Sequence, residues 1–329
     1  MSGTWGKYQD VPDYIIGVTK EIWEDRRIST LEHYYAPDII VRSPASVVVG
    51  NQGIIAATLA TLHEFPDRQL YGEDVIWCDA PGGCALSSHR LICTATHSAH
   101  GVYGPPTGTK LTYRIIAECH VDGGQINDEW LVRDQSAITR QLGIEPCDFA
   151  RALIAKEGGP EACVAPYTPA NDVDGPYAGS GNDNEWGQRY AEILRRIMAS
   201  ELSVIAEDYD RAAHVSYPGG VDGISFEAAD RFWLGLRASF PSATFTIDHA
   251  IGRDDPFMPP RAALRWSLHG KHDGWGSFGR PTGAEVFVMG LSQAEFGALG
   301  GGEPKLRREW ALIDETAIWK QILLQTGDL

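Results

Sequence analysis

The chain repeats itself. Phe65-Pro66 recurs as Phe240-Pro241, Arg90 as Arg265, His97 as His272, Gly101 and Gly104 as Gly276 and Gly279, and Pro106-Thr107-Gly108 as Pro281-Thr282-Gly283, always 175 positions apart. Twelve of the 44 positions from 65 to 108 are identical without a gap, against roughly three for unrelated sequences of average composition. The offset then grows to 180 through five residues inserted around Gly297 to Pro304. The match resumes with Glu129-Trp130 as Glu309-Trp310 and Asp134–Leu142 as Asp314–Ile322. An internal repeat of this length predicts two like domains in the 329 residues. Their expected bounds are 1–144 and 185–329. The stretch between, 145–184, is rich in proline and glycine and reads as a linker with a short helix around Phe149 to Lys156.

Each copy runs helices first, then strands. Ile15, Val18, Ile22 and Ile55, Leu59, Leu62 recur at helical spacing, as do Tyr190, Ile193, Leu194, Ile197 and Ala229, Phe232, Trp233, Leu236. After Phe65-Pro66 the alternation becomes that of strands, over 69–79, 85–98, 109–122 and 125–134. Helices followed by an antiparallel meander mean an α+β fold with helices against one face of a curved sheet.

Composition narrows the function. With 28 basic against 44 acidic residues the net charge is −16, which disfavours nucleic acid and anionic membrane partners. Apolar runs are too short for a transmembrane helix, and the N-terminus lacks the basic-then-apolar order of a secretion signal; a cytoplasmic location is expected. Six cysteines without a Cys-x-x-Cys pair argue against a zinc site or a disulfide scaffold. His97, His100 and His120 lack metal-ligand spacing, and no glycine-rich nucleotide motif is present, so neither metal nor cofactor is expected.

Several segments resemble the SnoaL-like polyketide cyclase family: His100-Gly-Val-Tyr-Gly-Pro-Pro-Thr-Gly108, the turn Asp122-Gly-Gly-Gln-Ile126, Glu129-Trp130-x-x-x-Asp134 and Gln141-Leu-Gly143. That resemblance implies the nuclear transport factor 2-like, or cystatin-like, fold: two tandem cone-shaped half-barrels, each a curved sheet wrapped on helices around a deep pocket. It also implies cofactor-independent cyclase or isomerase chemistry, with Asp134 as acid/base and His120 beside it. In the second copy Asp314 matches, but Glu295 replaces the histidine. Such chemistry removes a proton from a carbon beside a carbonyl, so it needs a base and a donor for the enolate.

Arg90, His97, His100, Tyr113 and Trp130 are the candidate contacts for a small apolar or carbonyl-containing ligand, with Arg265 and Trp310 as second-domain equivalents. The plainer readings stand beside these. Asp134 and Asp314 each precede a helical run and suit N-caps; Arg90 and Arg265 suit ion pairs with Glu118 or another acid; the tryptophans suit a core. A hydrolase or dehydratase of the same fold, and a non-catalytic binding module, are the alternative functions. The two copies are expected to pack sheet against sheet as an internal pseudo-dimer, a homodimer being the further assembly. The first copy, which keeps both Asp134 and His120, is expected to own the more open pocket, with Trp275 filling the mouth of the second.

Overall fold

The computed structural model describes residues 5–298 and 302–329; part of the insertion between Gly297 and Pro304 therefore lies outside the described residues. The first half begins with α1 (Val11–Thr19), capped by Asp10, whose carboxylate accepts the Asp13 N–H at 2.9 Å, and a short α2 (Leu31–Tyr34). A hairpin of β1 (Tyr35–Ser43) and β2 (Ser46–Val49) leads to α3 (Asn51–Glu64). The meander follows as β3 (Gln69–Ala80), β4 (Cys84–Thr96), β5 (Lys110–Asp122) and β6 (Gln125–Arg133), closed by α4 (Gln135–Gln141). These four strands agree with the alternation read from sequence to within two residues. The β5–β6 connection is Gly123-Gly124, both at positive φ, as a twist-matched two-residue hairpin requires.

The hairpin β1–β2 was not anticipated. It adds two strands at the β6 edge, and β1 runs parallel to β6, so the sheet is mixed, ordered β2-β1-β6-β5-β4-β3, rather than antiparallel throughout. A register shift between Tyr35 and Ile40 breaks the alternation that would have marked β1. Helix α3 is present but turned. Leu59 faces solvent, while Thr58 is buried.

The second half repeats the order: α6 (Glu185–Met198), α7 (Ser203–Asp208), β7 (Tyr209–Tyr217), β8 (Val221–Ile224), α8 (Phe226–Ser239), β9 (Thr244–Arg253), β10 (Arg261–Lys271), β11 (Glu285–Gly297), β12 (Lys305–Leu312) and α9 (Glu315–Thr326). Its sheet is β8-β7-β12-β11-β10-β9. Between the halves lies α5 (Pro146–Lys156).

The outer faces of the two sheets meet. Ile76, Leu86, Ile116 and Val132 pack with Ile251, Met289, Leu291 and Leu312 in one buried cluster. Two reciprocal stacks flank it, Arg265 over Trp130 (3.8 Å) and Arg90 over Trp310 (3.4 Å). The segment after α5 crosses this seam: the Tyr167 N–H donates to Pro44 O (3.0 Å) on one sheet, and the Ala250 N–H donates to Ser180 O (3.0 Å) on the other.

Candidate active site

The period of two along a strand decides what each side chain faces. On β6, Asp128, Trp130 and Val132 point outward to the seam, and Asp134 follows them. Its carboxylate caps α4, accepting the Ala137 N–H (2.9 Å) and the Ser136 hydroxyl (3.0 Å), and crosses the seam to accept the N–H groups of Gly219 (2.8 Å) and Gly220 (3.0 Å). Burial raises its pKa above the ordinary carboxylate value.

His120 is also outside the cone, its Nδ1 bonded to Asn127 Oδ1 (2.7 Å) and its ring against Tyr177. Asp134 donates its N–H to Arg114 O, six residues along β5 from His120, so the two lie about 20 Å apart at strand rise. The structure does not bring them together.

The remaining expected residues fall mainly into structural places. Arg265 donates to Glu118 at 2.9 Å across the seam; Arg90 pairs with Glu73 (3.1 Å) and with the Gln293 amide oxygen. Ion pairing is thus the observed role of both arginines, and Trp130 and Trp310 are seam residues. His97 lies 3.2 Å from Glu64 and 3.1 Å from the Thr107 hydroxyl, a turn-holding contact that His272 repeats with Thr282 at 3.1 Å. His100 is exposed. Asp314 caps α9, accepting from Thr316 and Ala317, and burial lifts it to about 6; Glu295 sits 3.5 Å from Arg308. Trp275 is 71% exposed and plugs nothing. Tyr113 alone points into the cone, its hydroxyl accepting from Arg68 Nε at 2.9 Å.

The cone interior of the first half holds a cavity of about 180 Å³. His89 from β4, Cys119 from β5, and Glu129 and Arg133 from β6 reach it from the sheet, with Tyr35 and Arg68 beside them. Apolar walls come from Ile15, Val18, Leu91 and Ile115, and the mouth lies along α3, where Gly53 and Ala57 are exposed. Burial drives Glu129 up to about 7, although the Tyr35 hydroxyl and Cys119 thiol beside it pull the other way. Burial takes His89 down to about 4, leaving it neutral at neutral pH. Three buried atoms here have no hydrogen-bond partner among the described residues: Glu129 Oε2, His89 Nδ1 and Arg133 Nε. Orphaned polar atoms in a core are costly, and the three that line this cavity make it the candidate ligand site.

The second cone is filled. Glu309, the counterpart of Glu129, accepts from the hydroxyls of Tyr190 (2.8 Å), Tyr209 (2.9 Å) and Tyr217 and from Trp233 Nε1 (3.3 Å). At the repeat offsets Thr58 becomes Trp233, Leu91 becomes Trp266, His89 becomes Leu264, Arg68 becomes Ala243 and Arg133 becomes Ile313. Trp233 and Trp266 are fully buried. Among the described residues, no group of three or more His, Cys, Asp or Glu converges as a metal site, and no helix is long and apolar enough to cross a membrane.

Residues 14–142 match the model of the SnoaL-like polyketide cyclase family. The first half is a SnoaL-like domain. Among solved structures the chain is similar to IdmH from Streptomyces antibioticus (22% identity, 39% of this chain and 96% of that chain, TM-score 0.34). It is also similar to a SnoaL-like polyketide cyclase from Agrobacterium tumefaciens (17%, 41% and 100%, 0.34) and to TsrD from Streptomyces laurentii (19%, 41% and 98%, 0.34). No curated protein matches the sequence. In this SnoaL-like domain the cavity-facing set of Glu129, His89 and Arg133 was missed because each neighbours a more conspicuous residue, Trp130, Arg90 and Asp134, that faces the other way. The difference between the copies is a signal for His89 and Arg133, which the second half replaces by Leu264 and Ile313, but not for Glu129, which it keeps as Glu309.

Proposed function

We propose that the SnoaL-like domain is a cofactor-independent enzyme of the cyclase or isomerase type, transferring protons at a carbon beside a carbonyl inside the first cone. Glu129 takes the place that sequence reading gave to Asp134. A carboxyl with a pKa near 7 is half ionised at neutral pH and serves as base and then as acid. Neutral His89 offers a hydrogen bond to the enolate oxygen as charge develops, and the apolar walls keep water away from the carbanion. The observation that carries this reading is the set of three orphaned polar atoms around one apolar cavity.

The same groups would also hold a water, which favours hydration or dehydration as the second reading. Solvent deuterium exchange at the carbons beside the carbonyl of 2-tetralone, followed by proton NMR, separates the two. Proton transfer at carbon gives catalysed exchange that rises with pH through about 7 and drops roughly 10²- to 10⁴-fold in Glu129→Gln. Exchange no faster than in buffer sinks the proposal.

A further inference from the structure

Two guanidinium groups face the first cone without an acid to match among the described residues. Arg68 is 4% exposed and donates its Nε to the Tyr113 hydroxyl. The groups that act on its charge are Tyr113 and Cys93, and no carboxylate is among them. Arg133 presents a buried Nε with no partner, and it too lies close enough to act on the Tyr113 hydroxyl and the Cys93 thiol. The two cations therefore share one end of the cavity.

The nearby acids are committed elsewhere: Glu73 holds Arg90 (3.1 Å) and Arg114 (3.0 Å), and Glu64 holds the N–H groups of Val102 and Tyr103 at 2.9 Å. Glu129 is four residues before Arg133 on β6, about 13 Å away at strand rise. In the filled second cone the counterparts are Ala243 and Ile313, so the fold itself does not need these charges.

A buried guanidinium without a counter-ion is expensive, and its planar fork matches a carboxylate. We propose that the ligand of this cavity carries a carboxylate, seated on Arg68 and Arg133, which sets its reactive carbon toward Glu129. Size limits the rest of the molecule. A dry cavity of about 150 Å³ accepts benzene, so about 180 Å³ accommodates a one- or two-ring body. This inference rests on the reading of the cavity as a ligand site, but it does not depend on proton transfer.

Titration calorimetry of the full chain with 2-naphthoate and with methyl 2-naphthoate tests it. The acid is expected to bind at least tenfold tighter than the ester. Arg68→Met and Arg133→Met should each weaken the acid at least tenfold with little effect on the ester, while Glu129→Gln should bind the acid undiminished even though it slows exchange on 2-tetralone roughly 10²- to 10⁴-fold. Equal affinity for acid and ester in the unmodified protein overturns the proposal, whatever the variants do. So does an absence of binding by both 2-naphthoate and the smaller benzoate. Acid-selective binding without any catalysed exchange would refute the proposed chemistry and leave the carboxylate site standing.

Discussion

Glu129→Gln tests the site without any knowledge of the substrate, because burying a carboxylate has a cost that depends on pH. The Glu129 pKa stands at about 7 in the folded chain against 4.5 for an ordinary glutamate. Below pH 4.5 the carboxyl is protonated in both states and costs nothing. Between 4.5 and 7 the unfolded chain ionises first, so stability falls as pH rises, and above 7 the full penalty applies. A difference of 2.5 units corresponds to about 3 kcal/mol.

Glutamine fills the same space, keeps an oxygen toward Tyr35, and carries no charge to bury. Glu129→Gln should therefore be about 3 kcal/mol more stable than the unmodified chain at pH 8 and equal to it near pH 4. In thermal unfolding that is a rise of roughly 6–12 °C at pH 8 for the transition of the first half. The assay is the melting temperature of both proteins across this pH range. A difference that does not vary with pH, or a glutamine variant less stable at pH 8, would refute the claim that Glu129 is a buried, unpaired carboxyl.

Two further perturbations address the division of labour. Thr58→Trp copies Trp233 of the filled cone into the open one; exchange on 2-tetralone should vanish while the melting temperature holds or rises, and retained exchange would place the chemistry elsewhere. Asp134→Ala strands the N–H groups of Ala137, Gly219 and Gly220, so urea unfolding should show a loss of about 3 kcal/mol or more. The exchange rate per folded molecule should stay within twofold, and a selective loss of exchange would restore Asp134 as the base.

The fold was legible where residue type alternates. Leu111, Tyr113, Ala117 and Cys119 face the cone core between the polar Thr112, Arg114, Glu118 and His120, although from Ile115 to Val121 both faces of β5 are buried. It was less legible at α3, whose inner face is Ala57, Thr58 and Thr61 because it borders a cavity and the mouth of a site, leaving Leu59 outside. The site was hidden by the seam. Both faces of β6 are buried, one on the cone and one on the other half, so residue type alone did not say which face lines the pocket. Asp134 also looks catalytic for the reason it is a good cap, an acid placed before a helix; its partners across the seam sit in the turn Pro218-Gly219-Gly220, one residue longer than the corresponding Pro44-Ala45 turn of the first half.

The most direct test is a crystal structure of the full chain soaked with 2-tetralone. Expected is ligand density in the first cone alone, its carbonyl-adjacent carbon facing Glu129 and its oxygen within roughly 2.6–3.2 Å of a donor such as His89, with the second cone occupied by Trp233 and Trp266 as before. Ligand in the second cone, or on the outer face between Asp134 and His120, would contradict it.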